Sequence, residues 1–376
     1  MQPDADTPGH IRALAWSRVK PQTLKHLQAA LSVQTPCIVA PKTNLAQNLT
    51  LFFHDLDEVS RSMPKIHVEK NISINAPLDK VKAATEDFAQ WPAWSPWLIT
   101  EPDAQVDVHG TAGQIGHGYH WTGKLVGSGS MEIESIDGNC QNMDLQFLKP
   151  FKSQAKVSLD LSQTADGTVV TWTMDSSLPF FLFFMTGMMR SMIGMDYERG
   201  LKMLKALSET GKVDSRVEIT GVVDAPENRF VGYDTSANVK DMAESMGESL
   251  PRISQQASSL GLTPQASAIG AIYNKMDMKS GHCDYTAIVP VVEPLDSIKA
   301  AEGFRSGTVG GCKALKVIHH GAYEFLPNGW NAAFSFQRNN KLKVLKSQPP
   351  YEFYPDDPAT TPAADLKTEI YIPVKG

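Results

Sequence analysis

The stretch from Leu178 to Leu207, LPFFLFFMTGMMRSMIGMDYERGLKMLKAL, is the longest apolar run in the chain and limits what the rest can fold into. From Phe180 to Met189 nearly every residue is apolar. From Arg190 onward the apolar positions thin to Ile193, Tyr197, Leu201, Leu204 and Leu207, the spacing of one helical face. Pro179 suits a first turn, because its missing N–H would have no partner there. The pattern predicts one long helix, apolar nearly all round at its start and half-exposed at its end. A membrane span needs roughly 20 apolar residues, and Arg190 interrupts this run, with Asp196, Glu198 and Arg199 following. The helix is therefore expected to close over a protein surface. Met185, Met188, Met189, Met192 and Met195 make it pliable, which suits core filling and a ligand-facing wall equally.

The 376 residues allow two domains and an extra segment. A net charge of −6, with a fifth of the residues charged, gives no electrostatic case for direct binding of nucleic acid. Cys37, Cys140, Cys283 and Cys312 are far apart and form no CxxC pair, which fits a reducing compartment. The opening MQPDADTPGH does not resemble a signal peptide, so a cytoplasmic location is expected.

Residues 1–63 carry no motif; LKHLQAALSV and LAQNLTLFFHDLDEVSRSM suit short helices in an extension of unknown role. From Lys65, KIHVEKNISINAP alternates as a strand, with Ile66, Val68, Ile72 and Ile74 inward and a slip of phase near Lys70. Pro77 opens a helix over PLDKVKAATEDFAQW, with Val81, Ala84, Phe88 and Trp91 on one side, and the turn-rich WPAWSPW follows. About six strand-like runs come next, with Asp137-Gly138 and Asp166-Gly167 as hairpin-type turns, and then the long helix. A curved antiparallel meander closed by one helix encloses a cavity.

This part of the chain resembles the SRPBCC (START-like, helix-grip) proteins of the polyketide cyclase/dehydrase type. WPAWSPW, GYHWTGKLVGSGSMEIES, FLKPF, VVTWTMDSSLPF and MIGMDYERGLKMLKALSE carry the likeness. It implies a helix-grip domain over 64–210 with a pocket for a hydrophobic small molecule, and it implies no single chemistry. Tyr119, Trp121 and Met131 are candidates to line the concave face, opposite Met185 and Met189.

After the polar SETGKVDS, residues 214–376 read as a second unit, and a split near 209–215 into two independently folding parts is expected. A strand and a helix with Met242, Met246, Leu250 and Ile253 at helical spacing precede AIGAIY and DYTAIVPVV. The order recurs as ALKVIHH, a helix over YEFLPNGWNAAFSFQ, PYEFY and TEIYIPV. The endings IVPV and YIPV suggest a duplicated β-α-β-β arrangement with a cleft where the halves meet. The fold class expected overall is α+β. VIHHGAYE, PPYEFYPDDPA, KTEIYIPV and DYTAIVPV resemble the GyrI-like domain, also found as the effector-binding domain of AraC-type regulators. No helix-turn-helix or basic recognition helix accompanies it.

Glu352, in the strand YEFY, is the principal site candidate: facing a cleft it is a carboxylate in low dielectric awaiting a cation or a donor. The resemblance implies that the acidic residue of this strand contacts cationic aromatic ligands. Alternation puts Tyr351 and Phe353 on one side and Glu352 and Tyr354 on the other. If the aromatic pair faces the core, Glu352 faces solvent on an edge strand. Tyr323 and Trp330, seven apart at the start of the second helix, share a face and supply aromatic walls for a flat cation. His319 and His320 point to opposite faces of a strand, and His117 and His120 lack a third ligand, so no metal is assigned. His120, Asp144 and Asp175 are scattered, GxSxG and a P-loop are absent, and GSGS does not open a helix, so no cofactor is assigned either. Three readings follow. The chain binds hydrophobic or cationic-amphipathic molecules in two pockets, for sequestration or sensing. Alternatively it is a hydrolase or cyclase with Glu352 as general base. Or it is a ligand-responsive transcription cofactor acting through a protein partner.

Overall fold

The computed structural model describes residues 64–265, 269–277, 280–298 and 303–376. The extension expected over 1–63 lies outside the described residues. The described residues pack as one compact unit holding two antiparallel sheets. Among the described residues no helix is long and apolar enough to cross a membrane.

The first sheet comprises β1 (Lys65–Ile74), β2 (Gln105–His109), β3 (Gly118–Thr122), β4 (Ser128–Asp137), β5 (Cys140–Lys149), β6 (Ser153–Thr164) and β7 (Gly167–Ser177). Its order, β1-β7-β6-β5-β4-β3-β2, is a meander with the first strand folded back onto the last. The phase of β1 runs through unbroken, contrary to the expected slip. Lys70 occupies an inward position between Val68 and Ile72 and pairs there with Glu198. Gly194 makes room, since a Cβ there would lie 3.2 Å from Lys70 Cε. The helix after Pro77, α1, spans Leu78–Glu86 only, shorter than the pattern suggests; Phe88 and Trp91 follow it in loop and 3₁₀ turn yet remain buried.

The long helix also starts later than expected. Phe180–Met185 form a 3₁₀ turn, and α2 spans Thr186–Thr210, closed by Gly211 at φ +84° with its N–H bonded to the Leu207 carbonyl. α2 packs along β1 and against α1. Tyr197, Leu201, Met203 and Leu204 join the core laid down by the inner residues of the sheet. Trp172 of β7 is stacked on Tyr197 with centroids 4.0 Å apart, and Trp91, Trp94 and Trp97 of WPAWSPW surround it. The indoles of Trp91 and Trp94 donate to the carbonyls of Thr85 and Ala84, so both rings are buried without an orphaned N–H. Helix and sheet thus meet here in a filled core.

Gly200 marks the closest approach. A Cβ at this position would lie 2.7 Å from Trp172 Cζ3 and 3.0 Å from Pro96 Cδ. Ala in place of Gly in a helix interior ordinarily stabilises by about 1 kcal/mol. Gly200→Ala is expected instead to destabilise by ~1–3 kcal/mol through overpacking. A thermal melt that rises in this variant would contradict the close packing.

The second sheet comprises β8 (Ser215–Ala225), β9 (Asn228–Asn238), β10 (Ile269–Asp277), β11 (His282–Val291), β12 (Phe304–Val309), β13 (Cys312–Gly321), β14 (Tyr351–Tyr354) and β15 (Lys367–Pro373). Its order is β12-β9-β11-β10-β14-β15-β13-β8. Helix α3 (Met242–Ser259) packs on β9 and β11, and α4 (Leu326–Asn339) on β13, β8 and β15. Each half therefore runs β-β-α-β-β, one strand more than the sequence pattern shows. The additional strands cross over: β8 pairs with β13 and β12 with β9, each edging the other half. The halves meet where β10 pairs with β14.

Candidate ligand-binding site

The junction of β10 and β14 places a carboxylate between two helices. On β14, Tyr351 and Phe353 belong to a cluster with Phe230, Ile288 and Tyr371, where Tyr351 lies flat on Tyr371 at 4.9 Å. Glu352 points the other way. Its backbone partners are Ala271, whose cluster includes Ile253 and Ala257 of α3, and Ile370, whose cluster includes Ala333 of α4. The alternation read from the sequence is thus present, but its corollary is not. β14 is a central strand with both faces covered, so an inward aromatic pair does not send Glu352 to solvent; all four residues of YEFY are buried.

Glu352 is fully buried, and its two oxygens accept three hydrogen bonds. The Tyr273 hydroxyl donates to Oε1 at 2.5 Å, the Tyr354 hydroxyl donates to the same oxygen, and the Trp330 indole Nε1 donates to Oε2 at 2.7 Å. Burial pushes the Glu352 carboxyl above the usual carboxylate range, against the pull of the three donors, which favour the ionised form. Tyr273 and Tyr354 are pushed well above the usual phenol value, first by burial and then by the neighbouring carboxylate. Among the described residues no Lys, Arg or His lies within ion-pair distance of Glu352.

The walls are aromatic. Trp330 meets Tyr273 edge-on at 5.1 Å and stacks on Phe334, while Tyr323 meets Tyr354 edge-on at 5.4 Å. Across from them, the sulfur of Met246 of α3 lies 3.2 Å from the Tyr354 hydroxyl oxygen. Tyr323, Trp330, Tyr273 and Met246 are all half-buried, so the carboxylate lies beneath a partly open aromatic rim. Tyr323 sits in the 3₁₀ turn Tyr323–Phe325 that precedes α4, not on the helix as its spacing suggests.

Glu352, Tyr354, Trp330 and Tyr323 thus come together as one group. Tyr273 and Met246 complete it without having been singled out from the sequence. The alternation of Ile269, Ala271 and Tyr273 marks one face of a strand, but only the pairing of β10 with β14 shows that this face holds Glu352. His319 is buried, with its pKa pushed down to about 4 by burial and by His320, and its Nε2 lies 3.0 Å from the Ser215 hydroxyl. His320 pairs with Glu218 at the surface.

In the first sheet Tyr119, Trp121 and Met131 share one core, and Tyr119 pairs directly with Met131 across β3 and β4. Phe88 lies 5.1 Å from the Tyr119 ring and Phe147 5.9 Å from that of Trp121. Met189 packs half-buried against this core, whereas Met185 lies half-buried at the end of the 3₁₀ turn before α2. Among the described residues no group of His, Cys, Asp or Glu is placed to hold a metal ion.

Comparison with known proteins matches each sheet to a family. Residues 65–209 match the model described as polyketide cyclase / dehydrase and lipid transport, and residues 221–375 match the GyrI-like small molecule binding domain. No curated protein matches the chain. Among solved structures, the EcmrR–DNA complex is similar at 20% identity, covering 50% of this chain and 65% of that one, with a TM-score of 0.37. The EcmrR C-terminal domain is similar at 20% identity over 43% of this chain and 98% of its own, with a TM-score of 0.35. The protein CV1439 from Chromobacterium violaceum is similar at 14% identity over 38% of this chain and 96% of its own, with a TM-score of 0.30. At these scores the solved structures carry no argument about function. The two family matches do. The chain carries a polyketide cyclase/dehydrase-type domain followed by a GyrI-like domain, and both point to small-molecule binding.

Proposed function

We propose that this chain, a polyketide cyclase/dehydrase-type domain followed by a GyrI-like domain, captures small molecules in two places, for sequestration or sensing. Cationic aromatic molecules enter the cleft around Glu352, and apolar ones the region between Met189 and the face bearing Tyr119, Trp121 and Met131. The mirrored strand order of the second sheet is read as a duplication that places the cleft at the meeting of its halves.

The observation that carries the cleft reading is a buried carboxylate held by three uncharged donors and, among the described residues, by no cation. Burying a charge is costly unless it is paired. Two phenols and an indole reduce that cost but leave a net negative potential beneath aromatic walls, which a flat cation neutralises from outside. Native mass spectrometry of the full chain tests this. Offered an equimolar mixture of cationic and neutral polycyclic aromatics, the chain is expected to retain the cation. Retention of neither, or of the neutral compound alone, sinks the reading.

The raised pKa of Glu352 favours a second reading, hydrolysis of a strained electrophile with Glu352 as general base. Against it stands the full engagement of both carboxylate oxygens in hydrogen bonds. The binding reading expects no turnover of an epoxide-class substrate above the level of Glu352→Gln. Turnover that depends on Glu352 would favour the enzyme.

A further inference from the structure

Helix α4 presents its two sides to different parts of the molecule. Trp330 faces the cleft and donates to Glu352, with Phe334 stacked beside it. Asn328 lies two residues earlier, about 200° around the helix, and is buried against the polyketide cyclase/dehydrase-type domain. Its side-chain oxygen accepts from Arg199 Nη1 at 2.8 Å, and its Nδ2 donates to the Ser215 hydroxyl at 2.9 Å and to Met203 Sδ at 3.3 Å. The turn before α4 enters the same boundary, since Phe325 belongs to the core of the first domain.

Arg199 is itself buried, and its guanidinium joins three pieces of chain. Nη2 donates to the Pro96 carbonyl at 2.9 Å and to Asp196 Oδ1 at 2.7 Å, while Nη1 reaches Asn328. Asp196 also accepts from the Trp97 indole at 3.1 Å, and Asn331 of α4 reaches it at 3.5 Å. A planar guanidinium with three fixed acceptors is a geometric clamp that an ammonium cannot reproduce. The amide it holds is one helical half-turn from the indole that faces the ligand site.

We propose that Arg199 is a positioning residue for the GyrI-like cleft, acting through Asn328 and Trp330, so that occupancy of the cleft is felt by α2 of the other domain. The inference rests on the cleft reading above. A ligand seated against Trp330 holds α4 in one position, and α4 is the element through which the Arg199 cluster meets the cleft. By linkage the dependence runs both ways, so loosening the clamp weakens cleft binding.

Hydrogen–deuterium exchange of the full chain, with and without saturating proflavine as a flat aromatic cation, tests the proposal. In the wild type, proflavine is expected to slow exchange in 323–334 and 351–354, and also by about fivefold in 196–204. In Arg199→Met the protection at 323–334 is expected to persist, the change at 196–204 to vanish, and proflavine affinity to fall about fivefold. Should Arg199→Met not fold, Asn331→Ala removes a milder contact to the same cluster and is expected to reduce the change at 196–204 in the same sense. A merely structural Arg199 would lower stability and leave the ligand-induced difference intact. Protection confined to 323–334 and 351–354 in the wild type overturns the proposal while leaving the cleft in place. Uniform slowing that includes β4 and β5 also overturns it, because that is global stabilisation. Absence of any proflavine effect overturns the cleft reading itself.

Discussion

Replacing Glu352 by Gln is expected to reduce the affinity for proflavine tenfold or more while leaving the protein folded. The substitution keeps the shape, and the site can satisfy it. The Trp330 indole can only donate, so the Gln carbonyl must face it; the Gln amide then faces Tyr273 and Tyr354, whose hydroxyls can turn to accept. What is lost is the charge, and a charge-assisted contact in a desolvated site is worth on the order of 1.5–3 kcal/mol. Stability should respond in a defined sense. The folded pKa of Glu352 is raised above its unfolded value, so the folded state binds more protons between the two. The contribution is therefore fully present below the unfolded pKa, near ~4.3, and is lost as pH rises through the folded pKa. Chemical denaturation across this window should show wild type losing stability relative to Glu352→Gln as pH increases. A difference that grows in the opposite direction would contradict a carboxyl whose burial outweighs its donors.

The second large effect concerns the first domain. Trp172→Ala is expected to destabilise by ~3–5 kcal/mol, because the ring is buried between Tyr197 and the tryptophans of WPAWSPW. Met189→Trp should behave differently. Met189 is half-buried at the apolar, N-terminal part of α2, and a larger ring there has space toward the surface. Its expected signature is weaker uptake of an apolar fluorescent probe at nearly unchanged melting temperature. If Met189→Trp also costs ~1–3 kcal/mol, the site is tightly packed core and the hydrophobic pocket must be placed elsewhere. This pair of variants separates the filled end of the helix-grip domain from the end offered to a ligand.

Particular residues show why parts of this architecture were legible in the sequence. Most strands of the first sheet are visible because they have one buried face, so Met143 and Leu145, or Trp172 and Met174, alternate with polar neighbours; β2, which buries no residue, shows only the alternation of Val106 and Val108. Lys70 misled because a long side chain can occupy an inward position and still carry its charge to Glu198. The start of α2 was blurred because Phe180–Met185 is apolar in either helix type, and hydrophobicity does not distinguish a 3₁₀ turn from an α-helix. In the second sheet the alternation of Val217 and Ile219 in β8 is present in the sequence, but the pairing of β8 with β13 and of β12 with β9 is a crossover that leaves no local mark. The same reason hid Tyr273: its place beside Glu352 depends on a register between strands about 80 residues apart, set by tertiary packing. Glu352 was legible only as an acidic residue in an aromatic strand. That both faces of this strand are covered is a property of the sheet.

The measurement that bears most directly on the cleft is a paired titration of proflavine, a cation at neutral pH, and acridine, its uncharged analogue, against wild type and Glu352→Gln at low and high salt. If the buried carboxylate selects cations, wild type prefers proflavine, Glu352→Gln loses roughly tenfold or more for proflavine and little for acridine, and added salt removes only part of the difference, because a desolvated contact is weakly screened. Equal losses for the two ligands, no loss for either, or a preference that salt abolishes would contradict the account.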